Sequence, residues 1–552
     1  MPQRSKLLVH LFTALALLSG AADSVRAAGG TYAARLEVAQ PGWYEVATAD
    51  LSAGAPPETL HLECQGRAVP VLVRDGRVGF VGVPRGWDGL AARDRYGVVN
   101  VYRTASGPAT ALPTASGQGR TVTKNALCAE HFEQDTTYGQ FLYAPDKELF
   151  DHWFWAAATP GHPATCEVTL KHQPLPGTQV LWRVVLRGRT AVDADPDHHT
   201  LGKVAGQGLE DARGDGQSEH VAQGLVPAEK LDPAKVTIEV TCPGDTDAKD
   251  VDSVAVNYVR AEYRFAPAVP PAQELVTIEA SDAGAALALQ GAADSLALAL
   301  DVTDPQAPLL LPVTRDEAGS PVVQVPLSGR RQVLLVAKGA ALRPTVTPDR
   351  AEPNLHQLPP ADYLAITDPS LDTALEPLLE HRRQEGLTVA RVFAADLYDQ
   401  YSYGLLSPEA IRAFVAEWYG RAPAEHKPRF LLLAGDANYD YRDALKTGVK
   451  NLVPAMLLRA DGFLETAMDA YYVALDAGST RRFDTASVLN TGRVSGARGG
   501  TEAGANPLPA WSKFSTCLRT ERRLSPMMGR REAARSSTAR QPRGVTACRC
   551  TG

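Results

Sequence analysis

The chain has 552 residues, of which 44% are hydrophobic and 22% charged, and its formal net charge is −7. This length exceeds what one hydrophobic core supports, so several domains are expected, and the composition excludes a disordered or membrane-embedded chain. Charge is distributed unevenly. Residues 477–552 carry 14 Lys and Arg against 4 Asp and Glu, whereas the preceding residues carry 42 against 59. An acidic body argues against nucleic acid and anionic lipid as partners.

The N-terminus predicts a secretory signal peptide over residues 1–27. Arg4 and Lys6 precede an apolar run from Leu7 to Leu18, and small residues follow it, as in cleavable bacterial-type signals. The run is shorter than the ~20 residues that a spanning helix needs. We therefore expect a secreted, extracellular or periplasmic protein with no membrane span after cleavage. The alternative is an uncleaved membrane anchor.

Three β-rich stretches follow the signal. Short runs of alternating apolar and polar residues, punctuated by Gly, Pro and Asp, are typical of strands joined by turns. Residues 31–110 predict a β-rich domain, and residues 128–266, with longer and regularly spaced strands, predict a β-sandwich of jelly-roll type. Residues 273–342 predict a further β-rich segment. Residues 343–360 contain five prolines and predict a linker.

The pattern changes over residues 361–476, where apolar runs alternate with helical periodicity. One helix is predicted to end at Gly386, and a second to begin with Ser407 as its N-cap. Strand, helix, strand, helix and strand in this order predict a parallel α/β sheet. Residues 477–552 lose this periodicity and predict a basic, disordered tail. The predicted strands are Tyr363–Thr367, Thr388–Phe393 and Arg429–Ala434.

Acidic residues cluster where the predicted strands end, which is the edge at which open α/β sheets bind ligands. Gly435 and Asp436 follow the third strand directly, Asp440 lies in the next loop, and Asp469 comes later. They predict a rim that binds a cation or a basic side chain of a substrate. The alternative is that they are turn formers whose carboxylates accept loop N–H groups. No cofactor is predicted, although calcium is the ion that such oxygen ligands would accept.

A second group of polar residues lies in the predicted sandwich. Asp195, Asp197, His198 and His199 are residue types that ligate metals. The alternative is a solvated histidine pair in a loop. We assign no metal site to this group.

Five patches in the α/β region resemble the gingipain-type cysteine peptidases, peptidase family C25. They cover about residues 363–472 and read YLAIT, EGLTV, DLYDQYSYG with SPEAIRAF, FLLLAGDANYDYRD, and NLVPAMLL with MDAYYVALD. The resemblance implies a multidomain protein whose N-terminal all-β domains precede a partial caspase-like α/β domain with a parallel sheet. It also implies a secreted cysteine endopeptidase that acts on protein or peptide substrates.

In that family the catalytic His, in a Gly-His-Gly turn, and the catalytic Cys lie downstream of the matched patches. The last histidine of this chain is His426. Residues 483–493 are similar to the family's short strand ending in Gly-Arg, but no further strand pattern follows. Because such a peptidase needs a thiolate beside an imidazole, we expect a chain truncated before both residues and inactive as it stands, and we assign no catalytic residue. The alternative is a non-catalytic secreted binding or adhesion protein whose β-domains hold a glycan or protein ligand.

Overall fold

The chain divides into two units, residues 1–495 and 496–552, and the computed structural model describes residues of the first. The predicted signal peptide and nearly all of the predicted tail lie outside the described residues. In the described part of the chain the longest helix has 14 residues, and none has both the length and the hydropathy of a transmembrane span. The described residues are 32–51, 60–140, 142, 152–193, 195–349, 353–460, 464–475 and 490–494.

The first β-rich region is built from two small antiparallel sheets. Strands β1, β7, β3 and β4 form one sheet, and β2, β6 and β5 form the other. Leu36, Phe80 and Tyr102 are almost fully buried and belong to one core that the two sheets share. The elements are β1 (Tyr32–Val38), β2 (Gly42–Ala47), α1 (Thr48–Leu51), β3 (Leu60–Cys64), β4 (Arg67–Ala68), β5 (Val71–Arg74), β6 (Arg77–Gly82) and β7 (Asn100–Ser106).

The second region packs two antiparallel layers against each other. Trp182 of one layer and Ile238 of the other lie in the same core, and neither is exposed. Burial alternates along the strands, because successive side chains of a strand point to opposite faces. The strands are β8 (Thr121–Thr123), β9 (Ala126–Glu133), β10 (Thr137–Tyr138), β11 (Trp153–Phe154), β12 (Ala156–Ala158), β13 (Ala164–Val168), β14 (Gln179–Gly188), β15 (His198–Val204), β16 (Gln207–Gly208), β17 (Ala212–Gly214), β18 (Glu219–Pro227), β19 (Val236–Thr241) and β20 (Val254–Phe265).

The third region continues the sheet of the second. The order β18-β14-β20-β9-β21-β27-β23-β24 runs across residues 266–272 without a break, and β28 returns to pair with β1 of the first region. The three β regions therefore share backbone hydrogen bonds. The strands are β21 (Gln273–Ala280), β22 (Ala285–Ala288), β23 (Leu296–Asp301), β24 (Leu309–Leu311), β25 (Val313–Arg315), β26 (Pro321–Val325), β27 (Gly329–Ala337) and β28 (Thr345–Pro348).

The α/β region contains a parallel sheet, which confirms the predicted fold class of β-rich domains followed by a parallel α/β layer. Its strand order is β30-β29-β31-β34, and each neighbouring pair is parallel. The hydroxyl of Ser407 accepts a hydrogen bond from the N–H of Ala410 (3.2 Å) and caps α4. The elements are β29 (Tyr363–Thr367), α2 (Asp372–Gln384), β30 (Val389–Phe393), α3 (Ala394–Tyr401), α4 (Pro408–Arg421), β31 (Phe430–Ala434), β32 (Leu457–Ala460), β33 (Leu464–Ala467) and β34 (Asn490–Val494).

Strand β34 overlaps residues 483–493, which are similar in sequence to the family's short strand ending in Gly-Arg. It comes from the segment that was assigned to a disordered tail, yet it pairs with β31 along its whole length. The segment reads NTGRV, which has no alternation of apolar and polar residues, so periodicity does not identify it as a strand. The parallel sheet therefore takes a strand from beyond residue 476.

The histidine pair of the sandwich is buried on β15, and not in a solvated loop. The side chain of His198 has no exposed surface, and its Nδ1 lies 2.6 Å from a carboxylate oxygen of Asp252. Its Nε2 lies 2.9 Å from the carbonyl oxygen of Gly216. Burial alone would lower the pKa of His198, but the hydrogen bond to Asp252 and the nearby carboxylate charges outweigh it, so the pKa is raised. Both nitrogens face acceptors, as a charged imidazolium requires.

The variant Asp252→Asn tests this buried pair. Because the pKa of His198 is raised in the folded state, its contribution to the free energy of unfolding is complete below the unfolded pKa of about 6.5 and is lost as the pH rises through the folded value. We expect Asp252→Asn to lower this free energy by about 3 kcal/mol at about pH 6, and by less at about pH 9. Urea unfolding at both pH values measures it.

Asp250→Asn is the matched control, since Asp250 is exposed two residues away. It should change the free energy of unfolding at neither pH. If the free energy of unfolding that Asp252→Asn removes were larger at about pH 9 than at about pH 6, His198 would not be charged in the folded protein. At acidic pH the loss of stability comes from His220. Burial and the charge of His198 lower the pKa of His220 to about 4. Its contribution to the free energy of unfolding is therefore lost as the pH falls.

Candidate functional site

The predicted rim begins where β31 ends. Gly435 is buried there, and a Cβ atom on it would lie 2.8 Å from a methyl carbon and 3.0 Å from the backbone nitrogen of Val453. The N–H of Leu452 donates to the carbonyl of Asp436 (3.0 Å), so the chain closes a loop against the strand end. Glycine is required at this position because two backbone segments approach each other closely.

Within this loop the aspartates organise the backbone. The two carboxylate oxygens of Asp440 accept hydrogen bonds from the N–H groups of Ala444 (2.7 Å) and Leu445 (2.9 Å). Asp443 accepts in the same way from the N–H of Thr447 (2.7 Å). These contacts are those of turn-forming residues. The rim as a site for a cation or a basic side chain stays a prediction.

Asp469 lies in a separate segment, a 3₁₀ turn over Asp469–Tyr472. This segment is attached to the loop's far end, because the buried hydroxyl of Tyr472 donates to the carbonyl of Pro454 (2.7 Å). Gly435, Asp436 and Asp440 thus share one loop, and Asp469 belongs to its neighbour. Nowhere in the described ranges do three His, Cys, Asp or Glu side chains form a group that could hold a metal ion.

A buried carboxylate that sequence reasoning did not identify connects this region to the β body. Glu465 on β33 has a side chain only 5% exposed and binds the guanidinium of Arg95 and the hydroxyl of Tyr138. The Nε2 atom of His152 lies 3.3 Å from the same carboxylate. Burial and the adjacent Glu465 raise the pKa of Tyr138, so the phenol keeps its proton and donates it. Burial lowers the pKa of His152.

A cleft of about 720 Å³ opens beside Glu465, between the sandwich and the α/β region. Tyr439 contributes an exposed ring whose centroid is 4.4 Å from that of Tyr138 and 6.1 Å from the indole of Trp153. Among the described residues, Arg189 and Glu465 are the charged ones that line the cleft. No sequence motif marks this cleft, because its walls come from segments hundreds of residues apart. The lining residues are Tyr138, Gly139, Gln140, Leu142, Arg189, Thr190, Ser253, Ala437, Asn438, Tyr439, Ala455, Leu457, Glu465, Thr466 and Ala467.

The four cysteines of the described residues are unsuited to nucleophilic catalysis. They lie in the β regions, and burial raises the pKa of Cys64 and Cys166 to about 11 and that of Cys128 and Cys242 to about 12. A reactive cysteine has the opposite property, a lowered pKa at a partly exposed position. The described part of the α/β region contains no cysteine.

Residues 356–498 match the sequence model of peptidase family C25. The chain contains a C25 peptidase domain. This confirms the resemblance to the gingipain-type cysteine peptidases, and the matched range includes β34, which the five sequence patches did not reach. No curated protein matches the chain.

Among solved structures, dimeric latent PorU from Porphyromonas gingivalis is similar in fold, with a TM-score of 0.58 and 14% identity. The match covers 85% of this chain and 48% of PorU, so the chain spans about half the length of that protein. The identity is low, and the likeness therefore concerns the fold of the β regions and the C25 domain.

Two further matches have TM-scores too low to carry an argument. They are a CBM36-1 domain of a xylanase from the hindgut metagenome of Trinervitermes trinervoides (TM-score 0.17, 8% identity, covering 24% of this chain and 96% of that one) and the ANX1 ectodomain from Arabidopsis thaliana (TM-score 0.18, 7% identity, covering 42% and 78%).

Glu465→Gln tests whether the buried carboxylate joins the C25 domain to the β body. The amide cannot neutralise Arg95, and a buried charge without its partner is strongly destabilising. Since Arg95 retains some contact with water, we expect the free energy of unfolding to fall by about 2–3 kcal/mol. Urea unfolding measures the change.

Glu279→Gln serves as the control, because its ion pair with Arg264 is half-exposed on both sides. We expect a change of about 0–0.5 kcal/mol for this variant. Equal effects of the two variants would mean that the Glu465 contacts contribute no more than a surface pair.

Alkylation tests the description of the cysteines. In the native protein at about pH 8, iodoacetamide should leave Cys128, Cys166 and Cys242 unlabelled, because their thiols are buried and protonated. In urea all three should react. Mass spectrometry of the digested protein identifies each site, and rapid labelling of any of the three in the native state would contradict the structure.

Proposed function

We propose that this chain is a secreted member of the gingipain-like cysteine-peptidase family that binds protein or peptide chains and, as its sequence stands, does not cleave them by thiol chemistry. The observation that supports this proposal is the separation of the required groups. The described cysteines lie in the β regions with raised pKa values, three of them buried and Cys64 half-buried, and no histidine follows His426 in the sequence. Peptide cleavage by a thiolate needs an imidazole in contact with it.

Secretion is supported by the N-terminal sequence, in which basic residues, an apolar run and small residues follow one another over residues 1–27. A caspase-like arrangement of the C25 domain is supported by the parallel order β30-β29-β31-β34 with helices between the strands. PorU is about twice as long as this chain, so the similarity in fold does not assign the activity of PorU to it.

The contacts with a partner would involve two places. The rim of Gly435, Asp436, Asp440 and Asp469 would take a basic side chain or a cation such as calcium, as expected for carboxylates at strand ends. The β regions would hold a protein or glycan ligand, which is the adhesion function considered from the sequence. Both places fit a protein that binds without cleaving.

A peptidase assay on the purified full chain tests the proposal. The substrate is an unfolded, fluorescently labelled casein, incubated with and without prior iodoacetamide treatment of the chain. We expect no cleavage that depends on a free thiol, because no described cysteine can form a thiolate beside an imidazole. A sample with a single cooperative melting transition shows that the chain is folded.

Cleavage that iodoacetamide abolishes would overturn the proposal. Mass spectrometry would then show which of the seven cysteines had been alkylated. Cleavage that EDTA abolishes and iodoacetamide does not would agree with the absence of thiol chemistry, but it would replace the binding role with that of a metal-dependent hydrolase at the aspartate rim.

A further inference from the structure

The cleft between the sandwich and the C25 domain has the size of a binding site. Its volume of about 720 Å³ lies within the ~300–1,000 Å³ of typical ligand pockets. Its lining is mostly apolar, with a few polar groups, which is also the usual composition of such sites. Because Ala437, Asn438 and Tyr439 of the loop after β31 line one side of it, the cleft adjoins the carboxyl-end edge of the parallel sheet.

One wall of the cleft has a free strand edge. The N–H of Glu465 donates away from β32, to the carbonyl of Gln140 (3.1 Å), whereas the N–H of Met468 donates to Met456, on the β32 side (2.8 Å). Successive residues of a strand direct their backbone groups to alternate edges, so Ala467 faces the same edge as Glu465. Among the described residues no hydrogen bond from another element reaches Ala467, which is exposed. Such an edge can pair with an extended peptide.

A fixed aromatic ring projects into the cleft. Tyr439 is 45% exposed, and one side of its ring rests on Tyr138 and Trp153 of the sandwich. Its orientation is therefore held before any ligand arrives. Rigid tyrosines of this kind are the residues that contribute most to binding in protein interfaces.

The unpaired charge in the cleft is positive. Glu465 is fully engaged with its own partners, whereas the guanidinium of Arg189, which is exposed, has no hydrogen-bond or ion-pair partner in the described part of the chain. The backbone of this wall is fixed, because the N–H of Arg189 donates to the carbonyl of Ser253 (2.8 Å) and the carbonyl of Thr190 lies 3.2 Å from Nε2 of His198. A guanidinium matches the geometry of a carboxylate.

We propose that this cleft binds an extended peptide, which pairs with the strand edge at Ala467, rests an apolar or aromatic side chain on Tyr439 and places a carboxylate against Arg189. The inference rests on the proposed function, since it names the class of peptide that the chain binds. The carboxylate comes from an Asp or Glu side chain or from the C-terminus of the peptide. Both sources present the same chemistry to Arg189.

Fluorescence anisotropy with the full chain and three labelled peptides tests the inference. The peptides are Ala-Val-Phe-Ala-Asp with an amidated C-terminus, the same peptide with Asn for Asp, and the Asn peptide with a free C-terminus. We expect the neutral peptide to bind about five-fold more weakly than the Asp peptide, as for a partly exposed ion pair. Affinity of the third peptide equal to that of the first identifies the C-terminus as a sufficient source, and affinity equal to that of the second identifies the side chain.

Variants assign the contacts. Arg189→Gln should abolish the preference for carboxylate peptides. Tyr439→Ala should weaken the binding of all three peptides by about ten-fold, whereas Tyr439→Phe should bind them with the same affinity as the unchanged chain. Arg183→Gln is the matched control, because Arg183 is exposed on β14, the strand that ends one residue before Arg189, and does not line the cleft. Thermal melting verifies that every variant is folded, which we expect because the changed side chains are exposed.

The inference is overturned if no peptide binds, if Arg189→Gln keeps the preference, or if Arg183→Gln loses it equally. These outcomes leave the proposed function intact, because the casein assay tests the absence of thiol-dependent cleavage separately and the rim and the β regions are other places for a partner. Thiol-dependent cleavage of a bound peptide has the opposite meaning. It would overturn the proposed function and leave the cleft as the binding site.

Discussion

The buried carboxylate of Glu465 is the interaction on which the relation between the β body and the C25 domain depends. A carboxylate removed from water is costly unless it is paired and hydrogen-bonded. Arg95 from the first β region and Tyr138 from the sandwich satisfy it, and both are far from Glu465 in sequence. Separating these partners would leave the carboxylate unsatisfied, so the first β region, the sandwich and the C25 domain stay in one arrangement. The cleft results from that arrangement.

A second buried carboxylate acts in the same way on another side of the C25 domain. Asp399 of α3 binds Arg35 of β1 (2.9 Å) and Arg103 of β7. Buried ion pairs add little net stability compared with apolar contacts, but separating the two partners is strongly destabilising because it leaves a buried charge unpaired. The interface is thus specified by charge. This holds for a C25 domain whose described residues contain histidines but no cysteine.

The sequence predicted the parts of the fold that have local signals. Tyr363–Thr367 is a short apolar run, and Ser407 caps a helix with a clear apolar face, so the strand was predicted with its observed bounds and the helix with its observed start. Strand β34 has no such pattern and is defined only by its pairing with β31. The roles of Glu465 and His198 were not predictable, because Arg95 and Asp252, their partners, are remote in sequence.

Hydrogen exchange of the full chain, with and without the acidic peptide, measures whether one cleft built by segments remote in sequence binds a peptide without cleaving it. We expect residues 138–140, 437–439 and 465–467 to become protected together when the peptide is added, and the peptide to be recovered intact. Protection confined to one of these segments, or recovery of a cleaved peptide from untreated but not from alkylated protein, would contradict this expectation.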